Sequence, residues 1–416
     1  MHKIQDWLAR PPKYTTFRIN SLRKFEYDKL TNYLIEQSKE LNTTSIPKFY
    51  LLRPDCLVVE QWTDDVKIEN GNKIVVVDAL CAAAVLRGAH VFAPGVMGLP
   101  SGCQKGDIVD IYGDMDAQCK RGLKVNYDGK KKYVGTGYLK MTRNELFDNG
   151  IQASGIAVHT LLPASRLPVI NETLYPKGTI LLQNLPSIVC GWVVDAKPHE
   201  VILDMCAAPG NKTTHLAEMS HDQANIIALD KTPQKIASLQ KNCYSHGLTC
   251  IKAFVFDSTK CCSYESDGVH QGPPYPPNSF DKVLLDAPCS GLGQRPQLIN
   301  KMTPKMLQSY KFVQRKLFRS AVEVLKFGGR LTYSTCTVTE DENERIVSWA
   351  LETFPCLSLV PAEPLLGGPG LPNCGLSDQQ REMVQRFSPT DDSLRFVDPI
   401  YKDTIGFFIA QFTKLK

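Results

Sequence analysis

Strand-like runs that alternate with helix-like runs over residues 166–416 limit the fold of this chain more than any other feature. The run "VILD" precedes "KTTHLAEM", "IIALD" precedes "PQKIASLQKNCYSHG", and "KVLLDAPC" precedes "KLFRSAVEVLKFGG". Such alternation predicts a mostly parallel sheet with helices on both faces, because a helix carries the chain from each strand to the next parallel one. We therefore expect an α/β fold with a Rossmann-like, doubly wound sheet.

Four of these predicted strands end in an acid, and the acids are Asp204, Asp230, Asp257 and Asp286. A single aspartate after a strand is often only a helix cap, but four in succession indicate a ligand site at the carboxyl ends of the strands. Asp230 follows Asp204 at roughly the spacing (about 20 residues) of an acid that binds ribose hydroxyls. The loop "MCAAPGNK" matches neither dinucleotide nor ATP motifs, so a nucleoside with little phosphate, such as S-adenosylmethionine, fits better.

Two of the 14 cysteines, Cys289 and Cys336, stand out because each follows a strand that we expect to lie beside the other, next to Asp286. Either thiol alone would be read as a small buried residue. Together they match the chemistry of cytosine C5, a poor nucleophile until a thiolate adds at C6. The residues alone permit either thiol as the nucleophile. No cysteine or histidine spacing matches a metal site, and we expect none.

The segments before residue 166 have a different character. Residues 1–72 mix one helical run with short strands and predict an α+β region. Residues 73–165 carry many short strands between glycines and prolines, which predicts a small β-barrel. Its segment "KRGLKVNYDGKKK" holds six cations and one acid in a chain of net charge +5. This pattern suits a polyanion such as RNA as well as it suits a solvated hairpin tip.

The overall sequence indicates a protein that does not span a membrane. Apolar runs do not reach membrane-spanning length, and "MHKIQDWLARPPKY" lacks the apolar centre of a signal peptide. We expect a cytoplasmic, monomeric protein.

The motifs "DMCAAPGNKTTHLAEM", "LLDAPCSGLGQRP" and "LTYSTCT" closely resemble those of the Sun-domain family of RNA (cytosine-5) methyltransferases, and "TTFRINS" resembles its Arg-x-Asn element. The barrel, with "VLRGAHVFAPGV", "KGDIVDIY" and "VGTGYL", resembles a PUA domain, a small RNA-binding fold. With a PUA domain inserted at this place, the chain resembles the sixth member of the family. This resemblance implies methylation of a cytosine at the 3′ end of a tRNA acceptor stem. Messenger RNA stays open as a second substrate.

The resemblance implies a role for each matched residue. Cys336 would attack C6, Cys289 would assist release of the product, Asp286 would hold the cytosine edge and act as an acid, and Lys212 would lie beside donor and base. The implied S-adenosylmethionine site comprises Cys206, Ala207, Ala208, Pro209, Gly210, Asn211, Lys212, Asp230, Asp257 and Asp286. The implied RNA contacts are Arg87, Lys120 and Arg121, to which the basic segment adds Lys124.

One departure from the family pattern lies in the donor loop. The loop reads Ala-Pro-Gly-Asn-Lys where Gly-Gly-Lys is usual, and we expect Asn211 to preserve the turn because asparagine tolerates a positive φ.

Two other functions stay open. One is methylation of an exocyclic amine, which needs no thiol. The other is RNA binding by a PUA barrel joined to a non-catalytic methyltransferase fold.

Overall fold

The structure, a computed structural model, describes residues 2–63, 66, 71, 73–148, 153–266, 268, 272–389 and 399–416. Within these residues the strands form three sheets of four, six and eight strands. The helices are α1 (His2–Leu8), α2 (Tyr27–Glu40), α3 (Ala79–Leu86), α4 (Arg143–Phe147), α5 (Leu185–Val194), α6 (Asn211–Met219), α7 (Pro233–His246), α8 (Pro304–Val324), α9 (Glu344–Thr353), α10 (Asp378–Met383) and α11 (Pro399–Lys402).

The four-stranded sheet is antiparallel and has the strand order β10-β1-β3-β2. Its strands are β1 (Tyr14–Ile19), β2 (Phe49–Arg53), β3 (Cys56–Glu60) and β10 (Ile180–Leu182). The first three lie in the N-terminal region that the sequence predicts as α+β. The fourth, β10, lies after residue 166. One edge strand of the N-terminal sheet therefore comes from the part of the chain that was predicted to form the doubly wound sheet.

The six-stranded sheet is the predicted barrel-like unit, and its strand order is β5-β9-β8-β7-β4-β6. Its strands are β4 (Lys73–Val77), β5 (Val91–Phe92), β6 (Val96–Gly98), β7 (Ile108–Asp114), β8 (Lys131–Leu139) and β9 (Ile156–Pro163). Helix α3 packs closely on this sheet because Gly113 has no side chain. A Cβ atom at Gly113 would lie only 2.5 Å from Cβ of Ala82.

The eight-stranded sheet is the predicted doubly wound sheet. Its strands are β11 (Val201–Asp204), β12 (Asn225–Asp230), β13 (Ile251–Val255), β14 (Phe280–Asp286), β15 (Leu325–Thr335), β16 (Leu357–Val360), β17 (Gln385–Phe387) and β18 (Phe407–Lys414). The order is β13-β12-β11-β14-β15-β18-β16, with β17 also paired to β18. The first five strands are parallel, and β18 is antiparallel to β15.

Both faces of this sheet are covered, which explains why its strands read as continuous apolar runs. Successive residues of a strand point to opposite faces. Ile202 and Leu284 therefore pack with α5 and α6 on one face, whereas Leu203 and Val283 pack with α8 and α9 on the other. No helix in the described part of the chain is long and apolar enough to cross a membrane.

A buried ion pair joins the N-terminal sheet to helix α6. Arg18 of β1 is fully buried, and its Nε lies 2.9 Å from Oε2 of Glu218. The guanidinium also donates to the Thr214 hydroxyl at 2.7 Å and to the backbone oxygen of Asn211, the first residue of α6. His246 on α7 lies 2.9 Å from the other oxygen of Glu218. One arginine therefore fixes both ends of α6.

Replacing Arg18 with alanine should destabilise the protein strongly. The change leaves Glu218 buried without its main counter-charge, which typically costs about 3–5 kcal/mol. Urea denaturation should show the loss. The matched control is Lys39→Ala, which breaks an exposed pair with Glu36 and should cost at most about 0.5 kcal/mol. Equal losses in the two variants would contradict this account.

Candidate active site

The candidate site lies where the strand order of the large sheet reverses. β11 and β14 are neighbours there, and the sheet continues to β12 on one side and to β15 on the other. Such a reversal opens a crevice at the carboxyl ends of the two strands. Asp204 ends β11 and Asp286 ends β14, so the first and fourth of the predicted strand-end acids meet at this crevice.

The loop after β11 forms one wall of a cavity of about 220 Å³. Gly210 has a φ of +106°, and a Cβ atom there would lie 3.2 Å from Leu239. The backbone turns at this glycine, and α6 begins at the next residue, so free N–H groups at the helix N-terminus border the crevice. The loop residues that line the cavity are Cys206, Ala207, Ala208, Pro209, Asn211 and Lys212.

The expected role of Asn211 in the turn is wrong. The positive φ falls on Gly210, and Asn211 is the first residue of α6 with an ordinary negative φ. The glycine before it already supplies the backbone freedom that the turn requires. Asn211 therefore contributes to the site through its position on the cavity wall and not through its backbone conformation.

Lys212 and Asp286 form an ion pair across the cavity. Nζ of Lys212 donates to Oδ2 of Asp286 at 2.7 Å, and the Ser334 hydroxyl donates to the other carboxylate oxygen at 2.7 Å. Burial alone would lower the pKa of Lys212, but the Asp286 carboxylate outweighs it and the net pKa is raised. The lysine is therefore positively charged before a base binds, and it also lies 5.2 Å from the ring centre of Phe407.

The two predicted thiols face each other. Cys336 follows the last residue of β15 and lines the cavity, and its Sγ lies 3.3 Å from Sγ of Cys289. The pKa of Cys336 is lowered to about 7, chiefly by the hydrogen bond with Cys289; burial and the charge of Asp286 oppose this lowering, whereas Gln294 and Lys212 contribute to it. The same hydrogen bond, together with burial, raises the pKa of Cys289. Of the two thiols, Cys336 is therefore the one that ionises more readily.

Asp204 is the most deeply placed acid of the site. It is 1% exposed, and burial raises its pKa to about 7 although the Thr213 hydroxyl donates to it at 2.7 Å. Across the described residues, no three His, Cys, Asp or Glu side chains are arranged to hold a metal ion. Asp204 is therefore available to fix the start of α6 through Thr213.

Asp230 and Asp257 are placed farther along the same edge of the sheet. Asp230 ends β12 and accepts from the backbone N–H of Thr232 at 3.1 Å. Asp257 lies two residues beyond the end of β13, is exposed, and caps the short 3₁₀ helix Ser258–Lys260. Neither lines the cavity of about 220 Å³. Asp257 fits the simple capping interpretation, whereas the second carboxylate oxygen of Asp230 lies 3.8 Å from Nζ of Lys235.

Several residues of the site were not predicted from the sequence. They are Ser334, Gln294, Phe407 and the buried polar pair Glu342 and Asn343. The run "TEDENER" contains this pair, but acids before a helix usually indicate an exposed first turn that favours the helix dipole. The sequence signal is therefore ambiguous, although both side chains are fully buried.

The predicted RNA-binding residues of the barrel differ in how much of their side chain is available to a ligand. Lys120 and Lys124 are exposed. Arg121 is exposed as well, but its guanidinium donates to the backbone oxygens of Pro94 and Val96 at 2.8 and 2.9 Å. It therefore braces the barrel and keeps only part of its donor capacity for a ligand.

Arg87 is near the crevice and not on the outer surface of the barrel. It lines a second cavity, of about 270 Å³, together with Arg295. That cavity shares Asn184 and Gln294 with the cavity at the thiols, so the two are adjacent. Burial lowers the pKa of Arg87 from a very high value, and the side chain stays charged.

Comparison with known families agrees with the geometry. The family described as "16S rRNA methyltransferase RsmB/F" matches residues 192–413, and the PUA domain family matches residues 73–148. The first match covers more than half of the chain and includes the donor loop, Asp286 and both thiols. The second covers most of the barrel-like sheet.

Comparison with individual proteins extends the likeness to nearly the whole chain. The tRNA (cytosine(72)-C(5))-methyltransferases NSUN6 of Mus musculus and Homo sapiens are 42% and 40% identical over 98% of this chain, which spans 88% and 90% of theirs. The crystal structure of NSun6 from Pyrococcus horikoshii with SFG, an analogue of S-adenosylmethionine, has a TM-score of 0.73 and 29% identity over 100% of this chain and 94% of that one. The chain therefore belongs to the Sun-domain family of S-adenosylmethionine-dependent RNA (cytosine-C5)-methyltransferases.

Proposed function

We propose that this protein methylates C5 of a cytosine at the 3′ end of a tRNA acceptor stem through a covalent adduct between Cys336 and C6. The observation that carries the mechanism is the pair of thiol sulfurs 3.3 Å apart beside the Lys212–Asp286 pair. The substrate follows from the relatives, whose names specify tRNA cytosine 72. The PUA match supports RNA as the partner.

The crevice suits S-adenosylmethionine, which supplies an electrophilic methyl group. Residues 206–212 would hold it against the N-terminus of α6, where Gly210 lets the backbone approach closely. Asp230 would accept hydrogen bonds from the ribose hydroxyls with its carboxylate. Asp257 would border the adenine end of the site from the neighbouring strand.

The first step of the proposed reaction is the addition of Cys336 to the base. The target cytosine must leave its stack to enter the cavity, which favours an unpaired or terminal nucleotide. The Cys336 sulfur forms a bond to C6, and N3 takes a proton from Asp286, which draws it from Lys212. The addition leaves a double bond between C4 and C5, which makes C5 nucleophilic. C5 then takes the methyl group from the donor.

The second step is release, in which Cys289 acts as the base. While Cys336 is a thiolate, it accepts a hydrogen bond that keeps Cys289 protonated. Once Cys336 is bonded to C6 it carries no charge, so Cys289 can lose its proton to water. Cys289 then removes the C5 proton, the C5–C6 double bond re-forms, and the C6–S bond breaks to return the Cys336 thiolate. N3 gives its proton back through Asp286 to Lys212, which restores the ion pair.

The barrel would hold the RNA while the base reacts. We propose residues 1–72, 73–165 and 166–416 as the three functional parts, with the middle one serving as the RNA-binding domain. Lys120 and Lys124 would contact phosphates on its surface, Arg121 would brace that surface and contribute its remaining donors, and Arg87 would meet the strand where it enters the crevice.

The covalent mechanism is tested by replacing each thiol separately. Cys336→Ala should abolish methylation and form no adduct, because nothing attacks C6. Cys289→Ala should transfer one methyl group and then stay attached to the RNA, because the C5 proton is not removed. A denaturing gel should show the attached RNA as a slow band. A slow band seen only with Cys336→Ala would mean that Cys289 is the nucleophile and that Cys336 assists release. Turnover by both variants would favour methylation of an exocyclic amine.

The thiolate on Cys336 gives a second expectation, on pH. Alkylation of Cys336 by iodoacetamide should rise with pH through a midpoint near 7, since only the thiolate reacts. An ordinary thiol has a pKa of about 8.5. Cys289→Ala should move the midpoint upward, because it removes the hydrogen bond that stabilises the thiolate. Peptide mass spectrometry measures the rate at this one residue, and a wild-type midpoint at 8.5 or above would contradict the assignment.

The barrel surface gives a third expectation, on salt dependence. The double variant Lys120→Ala, Lys124→Ala should reduce the slope of log affinity against log salt by about two, at roughly 0.9 per phosphate contact. Affinity for S-adenosylmethionine should not change. The charge-matched control replaces Lys197 and Lys326, which pair with Asp195 and Asp281 at the opposite end of the large sheet. Equal slopes for the two double variants would remove this surface from the RNA site.

A further inference from the structure

A buried carboxylate that the proposed reaction does not use lies behind the two thiols. Glu342 ends a short 3₁₀ helix, Glu340–Glu342, between β15 and α9 and is fully buried. Its carboxylate accepts from Ser290 N at 2.9 Å, Ser290 Oγ at 2.6 Å, Thr339 Oγ1 at 2.8 Å and Gln314 Nε2 at 3.0 Å. None of the ion pairs among the described residues involves Glu342. Four hydrogen bonds therefore compensate for the burial of this polar group.

The hydrogen bonds of Glu342 hold the backbone on both sides of Cys289. Ser290, which follows the thiol, donates to the carboxylate directly. Gln314, which also donates to it, donates through the same Nε2 atom to the backbone oxygen of Pro288 at 3.0 Å. Glu342 therefore holds the segment Pro288–Ser290 directly at Ser290 and through Gln314 at Pro288.

The same cluster holds the backbone on both sides of Cys336. Oγ of Ser290 lies 2.9 Å from Oγ1 of Thr337, which follows Cys336. Asn343, next to Glu342, accepts from the Thr335 hydroxyl at 2.5 Å and donates to the backbone oxygen of Thr337 at 3.0 Å. Two consecutive buried side chains thus fix the loops that carry the two thiols.

The separation of the thiols matters because they act on adjacent atoms of one base. Cys336 bonds to C6 and Cys289 removes the proton on C5, so one bound cytosine must meet both sulfurs at once. A shift of about 1 Å in such a pair costs on the order of 100-fold in rate. The loops carrying the thiols come from β14 and β15, and the ladder between these strands ends at Asp286 and Ser334, before either cysteine. Beyond the ladder, Gly293 N donates to the backbone oxygen of Cys336 at 3.0 Å, which links the loops after Cys289. The backbone at Cys289 itself is held through the Glu342 cluster.

We propose that Glu342 is a positioning residue that sets the separation of Cys289 and Cys336 and thereby the rate of product release. The proposal rests on the covalent mechanism given above. Methyl transfer depends mainly on Cys336 and the donor site, whereas release requires both thiols in register. Loss of Glu342 should therefore impair release more than the first methyl transfer.

The test compares Glu342→Ala with Cys289→Ala and with the wild type. Glu342→Ala should bind S-adenosylmethionine normally, methylate RNA in the first turnover, and release it on the order of 100-fold more slowly. Methylated RNA should then accumulate as the slow band on a denaturing gel. Glu342→Gln should restore release, because its oxygen can face Ser290 N and Gln314 while its amide group donates to the two hydroxyls.

The matched control is Gln385→Ala. Gln385 is also fully buried and makes four hydrogen bonds, to Leu366, Gly367, Ala362 and Pro364. None of them reaches the thiol loops, so this variant should lose stability and still release RNA at the wild-type rate. Slow release by the control would overturn the positioning role, since any buried loss would then have the same effect.

The outcomes separate this proposal from the mechanism on which it rests. If Cys289→Ala traps no RNA, the covalent mechanism fails, and the rate at which diamide joins Cys289 to Cys336 decides on positioning alone. That rate should fall in Glu342→Ala and be unchanged in Gln385→Ala. If Cys289→Ala traps RNA while Glu342→Ala releases it normally, the positioning role is wrong. Where Glu342→Ala does not fold, Ser290→Ala, which removes the bridge to Thr337, is judged by the same outcomes.

Discussion

The carboxyl ends of β11 and β14 must lie side by side, and the rest of the structure depends on this constraint. Parallel pairing with the order reversal between them brings Asp204, the donor loop and Asp286 to one edge of the sheet. β15 then adds Cys336 from the next position. No single segment of the chain holds the whole site. The sheet assembles it from segments spread over more than a hundred residues of the chain, and the covered faces keep those segments rigid.

Charge placement at this edge follows from the cost of burial. Lys212 compensates Asp286 directly, so that pair is stable as ions in a mostly enclosed cavity. Asp204 has no such partner, and its raised pKa reflects that difference. The pKa of Cys336 is lowered more by the hydrogen bond with Cys289 than by the charge of Lys212. Two identical side chains therefore acquire different pKa values from their surroundings alone.

Much of the fold could be predicted from the sequence because its periods are clear. The alternating runs after residue 166 and the short strands between glycines determine two of the sheets. Helix α5 was not predicted, because its ten residues are apolar on every side and show no helical period. Strand β10 has three residues, and only its pairing with β1 identifies it as a strand.

The site was predictable only where chemistry marks it. Cysteines and acids at strand ends are visible in the sequence, whereas the positive φ at Gly210, the capping role of Asp257 and the bracing role of Arg121 depend on three-dimensional contacts. Glu342 and Asn343 illustrate the same limit. Acidic and amide side chains before a helix usually face water, and only the packing of α8 over them shows that they are buried.

The pairing of β1 with β10 has a consequence for the order of folding. Thr16 and Gln183, at the edge of that pair, are 167 residues apart in the chain, and the whole barrel lies between them. The barrel pairs its strands over much shorter separations and can form as soon as it is synthesised. The N-terminal sheet cannot be completed until β10 has left the ribosome. Until then, the edge of β1 that later pairs with β10 stays unpaired while the barrel folds.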